Sequence, residues 1–148
     1  MRWLFVIAIV LAGGMANAQS WSEPKRGTAT RAALMDALRP HAEWQLGAPV
    51  EFVVHDLRRA GNLAYASISA QRPGGRAINQ YQTPGYRRGE IDPEFSDGTS
   101  MQALYRKSGE TWVAVHWAIG ATDVWFAYDE MCRTYAPVIP EFCQGMGN

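Results

Sequence analysis

The chain has 148 residues, with 14 basic and 14 acidic side chains and a formal charge of zero at pH 7. This balance excludes a global electrostatic field that would attract nucleic acid or an anionic membrane, so we expect neither as a partner. The length fits one domain with a real hydrophobic core.

The N-terminus has the features of a cleavable secretory signal. Arg2 precedes a short apolar run, and Ala16-Asn17-Ala18 matches the small-x-small cleavage pattern. We therefore predict a signal peptide at residues 1–18, a flexible lead-in at 19–27 and a single α+β domain at 28–148. The mature protein is expected to be periplasmic or secreted, with no membrane insertion after signal cleavage. An uncleaved anchor is the alternative, which the cleavage site disfavours.

The first predicted element is an amphipathic helix from Thr28 to Leu46. Its apolar residues recur at four-residue steps, namely Leu34, Leu38, Ala42 and Leu46. Thr28 or Thr30 can cap its start, and Gly47 is suited to its end. Pro40 predicts a kink or a restart of the helix, because proline removes an amide donor and crowds the preceding turn.

Two alternating segments, 50–57 and 63–70, predict a pair of strands. A tight turn at Ala60-Gly61 would join them and place Asp56 opposite Tyr65. The following segment, 71–99, is rich in glycine, proline and arginine and poor in aliphatic residues. It predicts a long loop, which in a compact domain is either functional or mobile.

A second hairpin is predicted at 101–119, with Ser108-Gly109 as its turn. In that register Tyr105 lies opposite Trp112, and His116 lies on the same face of the sheet. Both faces of the hairpin are apolar. We therefore expect helices to cover one side of the sheet, and the long loop or a ligand to cover the other.

The C-terminal segment predicts a last helix and a disulfide. Thr122 can cap a helix that extends to about Thr134, with Asp123 favourable at its positive end. Cys132 and Cys143 are close in sequence, and in an oxidising compartment such a pair forms a disulfide, which stabilises the fold by about 3 kcal/mol. A redox role would favour a C-x-x-C spacing, which is absent.

The order of these elements predicts the fold class. A helix, two strands, a long loop, two strands and a helix indicate an α+β domain, with an antiparallel sheet of about four strands and N-terminal and C-terminal helices. Cystatin-like and NTF2-like folds, in which a curved sheet wraps around a helix, have a compatible order.

Four segments carry a resemblance to a known family. They are 33–40 (ALMDALRP), 49–54 (PVEFVV), 71–75 (QRPGG) and 120–125 (GATDVW). With these motifs the chain resembles a family of small exported bacterial proteins whose function is not established. The resemblance implies a compact secreted α+β domain, and it brings no catalytic residue with it.

No pattern in the chain predicts a cofactor or a metal. The histidines lack metal-ligand spacing, and no nucleophile elbow, P-loop or dinucleotide fingerprint occurs. Asp92, Glu94 and Asp97 lie close together, but their spacing does not match an EF-hand loop. His116 is the one catalytic candidate, and as a general base it would need an orienting carboxylate.

The residues predicted to bind a partner are Tyr86, Arg87, Arg88, Tyr105, Trp112 and His116. They suggest an aromatic-lined sheet face, gated by the 71–99 loop and presented to a protein or envelope partner. The predicted function is therefore a non-catalytic binding or accessory domain. The alternative is a small NTF2-like enzyme with His116 and an acid in a pocket. A cavity beside His116 and a carboxylate would favour the enzyme, and a filled interior would not.

Overall fold

The computed structural model describes residues 20–145, so the predicted signal peptide at 1–18 lies outside the described residues. The helices and strands are, in chain order, α1 (Ala29–Leu46), β1 (Glu51–Ala60), β2 (Leu63–Gln71), α2 (Pro84–Arg87), β3 (Ser100–Ser108), β4 (Thr111–Ile119) and α3 (Asp129–Tyr135). Single turns of 3₁₀-helix at Gln80–Gln82 and Pro140–Phe142 complete the set.

The four strands form one antiparallel sheet in the order β1-β2-β3-β4. Helix α1 packs across one face, and the segment after β4 packs on the other, so each face has its own apolar cluster. The predicted α+β class, with a four-stranded antiparallel sheet and helices at both ends, is confirmed. The finer likeness to cystatin-like or NTF2-like folds stays a prediction.

Helix α1 forms as its sequence predicts. The Thr28 hydroxyl accepts a hydrogen bond from the Arg31 amide at 3.3 Å, and Gly47 ends the helix with a φ of 79°. The predicted apolar stripe is fully buried, at Leu34, Leu38, Ala42 and Leu46. The helix continues through Pro40 as one element, against the expected restart. The exposed proline lies between buried residues of the stripe, whose packing on the sheet holds both halves in line.

Both hairpin turns lie one residue further along than predicted. The loops are Gly61-Asn62 and Gly109-Glu110, because Ala60 pairs with Leu63 and Ser108 pairs with Thr111. Each glycine is the first loop residue and has a φ of 58°, and no other residue type in the described chain has a positive φ. A positive φ at the first loop position alone is the pattern of a type II′ turn, which favours glycine there.

This shift displaces the partners of β1 and β2 by two residues. Arg58, rather than Asp56, lies opposite Tyr65. Because side chains alternate with a period of two, a shift of two residues by itself keeps each side chain on its predicted face. A β-bulge at His55, between Val54 and Asp56, reverses the alternation along β1. Leu57 and Val54 therefore both face the cluster beneath α1, and the pairs and the strict alternation predicted for this hairpin are both wrong.

In the second hairpin a β-bulge changes the faces as well. Tyr105 pairs with Ala114 but Leu104 pairs with His116, so Val115 is an extra residue in β4. Beyond the bulge each side chain moves to the opposite face. His116 therefore lies on the face away from Tyr105 and Trp112, and the prediction that the three share one face is wrong.

The C-terminal helix begins later than predicted. Gly120 ends β4 with a φ of 65°, and α3 starts at Asp129, so Thr122 and Asp123 do not cap it. The intervening segment turns across the second face of the sheet, where the Phe126 ring packs against Tyr65 at 5.2 Å. Burial of this aromatic side chain competes with continuous helix. The predicted disulfide, Cys132–Cys143, is present.

The lead-in is packed on the sheet, in contrast to the flexible segment expected at 19–27. Ser22 exchanges two backbone hydrogen bonds of 2.9 Å with Arg59 of β1. The Trp21 ring lies 4.5 Å from the Arg58 guanidinium, which stacks on it. These contacts extend the sheet by a short bridge at the C-terminal end of β1.

Between residues 20 and 145, none of the helices is both long enough and apolar enough to cross a bilayer.

Candidate functional site

The residues predicted to bind a partner fall in three separate places. Tyr105 has no exposed surface and Trp112 is 6% exposed, and both belong to the core beneath α1. The predicted aromatic binding face is therefore the interior of the protein, because α1 covers that face of the sheet. His116 lies on the opposite face, half-buried, with its ring edge-on to Tyr135 at 5.9 Å.

The loop at 71–99 is ordered and packs against the C-terminal end of α1. Gly85 of α2 sits so close to α1 that a β-carbon there would lie 2.9 Å from the backbone oxygen of Gln45. Arg72 donates hydrogen bonds to the backbone oxygens of Leu46, at 2.7 Å, and Pro49, at 3.0 Å. The sequence suggested that this loop gates an aromatic face at Tyr105 and Trp112. The loop does not lie over those residues, so it does not gate them.

An end patch of exposed aromatic side chains lies where this loop meets α1. Trp44 is 63% exposed, and Tyr81 and Tyr86 form an edge-to-face pair at 5.4 Å. The Arg88 guanidinium stacks 4.4 Å over Trp44 and forms a 2.8 Å salt bridge with Glu90. This bridge raises the pKa of Arg88 and lowers the pKa of Glu90. The predicted residues Tyr86, Arg87 and Arg88 thus lie on the surface, with Arg88 already paired.

The features expected of an enzyme pocket are not brought together in residues 20–145. No group of three or more potential metal ligands occurs there. The interior beneath α1 is filled by side chains such as Tyr105, whose pKa is raised by burial. The His55 ring forms a 2.9 Å hydrogen bond with the Ser69 hydroxyl on the neighbouring strand. Within the described chain no carboxylate is hydrogen-bonded to His55, as a general base would require.

A network of charged side chains surrounds Arg58 on the second face of the sheet. Its guanidinium contacts Asp56 and Glu141 at 2.6 Å and donates to the Val138 oxygen at 3.1 Å. Burial lowers the pKa of Arg58, but the bonds to Glu141 and Asp56 outweigh it and raise the pKa overall. The Arg58 bond also lowers the pKa of Glu141. This network joins the C-terminal segment to β1, which is a structural role.

Tyr65 lies beside this network. Its pKa is raised to about 12, mainly by burial and to a smaller extent by the negative charge of Asp56. Its ring lies 5.4 Å from the Arg58 guanidinium, so it forms the wall of the network that faces the apolar cluster. Neither Tyr65 nor Arg58 is open to a ligand, since both are buried.

A groove of about 600 Å³ lies between α1 and β1, and we call it the edge groove. It is lined by Arg31, Met35 and Arg39 of α1, by Phe52 and Val54 of β1, and by Arg26 of the lead-in. The three α1 residues follow one another at steps of four, so their side chains lie on one face of the helix. The groove therefore has an apolar floor and a basic wall.

Two of the arginines are held in position by contacts with the protein. Arg39 donates a 2.7 Å hydrogen bond to the Val50 oxygen, and its guanidinium lies 5.1 Å over the Phe52 ring. Arg31 donates to the Pro24 oxygen at 3.1 Å and contacts Glu23 at 3.5 Å. Each guanidinium has five N–H donors, so both retain donors for a ligand.

The backbone of β1 is unpaired where it borders the groove. Phe52 lies opposite Ala70 of β2, and the Ala70 amide donates to Thr99 on the far side of β2, at 3.1 Å. Backbone groups of an antiparallel pair alternate in direction, so Phe52 and Val54 point their N–H and C=O groups away from β2. Further along β1, the Ser22 bridge already occupies the same edge at Arg59. The open part of the edge is thus the part that lines the groove.

The sequence held a signal for this groove that reasoning from strand patterns missed. Arg31, Met35 and Arg39 repeat at the same four-residue step as the buried stripe, but one position away from it on the helix. That step places a mixed basic and apolar row beside the core-facing row. Which sheet edge this row faces depends on the tertiary packing.

Comparison with known proteins found no matching family, no significantly similar curated protein and no significantly similar solved structure.

Proposed function

We propose that this protein is a non-catalytic binding domain of the periplasm or the extracellular space, and that it captures an extended segment of a partner protein. The observation that carries the proposal is the open edge of β1 in the edge groove. The disulfide between Cys132 and Cys143 supports an oxidising, non-cytoplasmic location.

An edge strand with unpaired backbone groups is a template for strand addition. Phe52 and Val54 offer two N–H and two C=O groups to such a strand, and the groove beside them can accept its side chains. Val53 is 38% exposed, so a partner would also find apolar surface on the opposite face of β1. Backbone hydrogen bonds would supply affinity, and the groove would supply selectivity.

The alternative of a small NTF2-like enzyme has less support. His116 lies against Tyr135 on the face away from α1, and the interior that an enzyme of this type would open as a pocket is filled. The binding proposal also accommodates the end patch, because tryptophan, tyrosine and arginine are the residues that recur at the centres of protein interfaces.

The test is selection of linear peptides from a displayed random library, followed by affinity measurements on edge variants. Val54→Pro removes an outward N–H from the edge and leaves the β1–β2 hydrogen bonds in place, as proline is tolerated on edge strands. Val54→Ala is the matched control, because it trims the same side chain and keeps the N–H. Circular dichroism and thermal unfolding establish that both variants are folded.

We expect selected peptides to bind the wild type and Val54→Ala and to lose at least tenfold in affinity for Val54→Pro. Peptides that bind all three proteins equally would contradict strand addition. The oligomeric state is measured alongside, since a dimer that Val54→Pro dissociates would mean that the edge pairs with a second copy instead.

A further inference from the structure

We infer that the segment bound in the edge groove carries two acidic residues four positions apart with an apolar residue midway between them, so that its pattern is acidic-x-apolar-x-acidic. This inference rests on the proposed strand addition and names its ligand class. It follows from the match between two repeats, one on α1 and one on any strand added to β1.

The repeat on α1 has a defined spacing. Arg31, Met35 and Arg39 follow one another at steps of four residues, and each step is about 6 Å along the axis of an α-helix. The row is therefore basic, apolar and basic, with about 12 Å between its two charged ends. All three side chains are half-buried in the wall of the groove, so their positions are restricted.

The repeat on an added strand has nearly the same spacing. Alternate residues of a strand point to the same face and are about 6.6 Å apart, so residues at i, i+2 and i+4 span about 13 Å. When such a strand pairs with β1, one set of alternate side chains points toward α1. Three successive members of that set can then face Arg39, Met35 and Arg31 in turn.

Charge selects acidic residues for the outer positions of this set. The groove has three arginines, and Arg26 has no salt bridge within the described residues. Arg31 and Arg39 each contact one exposed acid, Glu23 at 3.5 Å and Asp36 at 3.8 Å, through a single guanidinium nitrogen, which leaves further N–H donors on both. Glu51 is the one carboxylate in the lining, and its side chain accepts a 3.2 Å hydrogen bond from the Gly74 amide. Arginine binds carboxylates through paired N–H donors, so two acids would each find a matched partner, with the apolar residue on Met35.

A second copy of this chain fits the pattern less well. Its own β1 would offer Glu51, Val53 and His55 as alternate residues, which supplies one acid and places a histidine where the second acid is required. The acidic partner is therefore favoured over pairing of two β1 strands, and the oligomeric state in solution separates the two.

The test uses nine-residue, threonine-rich synthetic peptides and the folded mature protein. The matched peptide has glutamate at its third and seventh positions and valine at its fifth. One control replaces both glutamates with glutamine, and a second moves one glutamate by a single position, which places the two acids on opposite faces of the strand. Affinity is measured by isothermal titration at low and at physiological salt.

We expect the matched peptide to bind about tenfold more tightly than either control, and this advantage to shrink as salt rises. Arg31→Glu should weaken the matched peptide, and replacing one of its two glutamates with lysine should restore binding. The glutamate whose replacement restores binding is the one that faces position 31, and its place in the peptide gives the direction of the added strand. Arg133→Glu is the matched control, since it makes the same charge change at an exposed site in α3.

Equal affinities for all three peptides, each lost with Val54→Pro, would overturn the acidic pattern and leave strand addition in place. Weak or absent binding of every peptide, or binding that ignores Val54→Pro, would overturn the proposed function itself. The comparison of the matched and glutamine peptides on the wild-type protein tests the acidic pattern even where a variant is unstable, because it requires no change in the domain.

Discussion

Replacing Tyr105 with phenylalanine should stabilise this protein, although most Tyr→Phe changes in a core do the opposite. The Tyr105 side chain has no exposed surface, and its hydroxyl finds no hydrogen-bond partner in the described part of the chain. A buried hydroxyl without a partner costs about 1–3 kcal/mol relative to its hydrated state in the unfolded chain. Phenylalanine removes that cost and keeps the ring, so we expect a net gain of about 1–2 kcal/mol after loss of the hydroxyl's packing contacts.

The assay is urea unfolding with the disulfide intact, in which stability changes appear as a shifted midpoint at constant slope. For a domain of this size the gain corresponds to a rise in Tm of about 3–8 °C. Tyr65→Phe is the matched control, because Tyr65 is also buried in the sheet but its hydroxyl is not a buried group without a partner in the described chain. That variant should be neutral or destabilised. A destabilised Tyr105→Phe would refute the reasoning, since it would mean that the hydroxyl has a partner in solution.

Three further predictions concern the contacts that hold the 71–99 loop and the C-terminal segment to the rest of the domain. Gly85→Ala should destabilise by about 1–3 kcal/mol and speed hydrogen exchange in α2, because its β-carbon has no room beside α1. The pKa of Glu141 is lowered from 4.5 by Arg58, so its contribution to stability is complete above pH 4.5 and is lost as the pH falls through the folded pKa. Glu141→Gln should therefore flatten the acid side of the stability profile. Replacing Cys132 and Cys143 together by serine should cost about 3 kcal/mol in urea unfolding, and a smaller loss would indicate residual structure in the unfolded state.

The layout of the elements could be predicted because local patterns and tertiary packing agree in α1 and in the strands. The four-residue apolar step of α1 and its Thr28 and Gly47 boundaries are local signals, and the structure confirms them. The hairpin registers were harder, since two candidate turns share a glycine and differ by one residue. The bulge at Val115 has no local signal, because both faces of this hairpin are apolar and a change of face leaves no trace in the pattern of apolar and polar residues.

The site was harder to predict than the fold for a related reason. An aromatic residue on a strand marks a binding face or a core face according to which side the helices cover, and this is a tertiary property. Tyr105 and Trp112 turned out to lie beneath α1. The edge groove depends on β1 being an edge strand, and strand order cannot be read from the alternation of β1 itself. Arg31 and Arg39 can be recognised as candidate binding residues only when the structure shows that they lie beside this open edge.

The most direct test of strand addition is hydrogen exchange at the Phe52 and Val54 amides, measured by NMR with and without a selected peptide. Both amides point away from β2, so we predict rapid exchange in the free domain and strong protection in the complex. The Val53 amide, which points to β2, serves as the internal reference and should be protected in both states. Phe52 and Val54 amides that stay unprotected when the peptide is bound would contradict the proposed function.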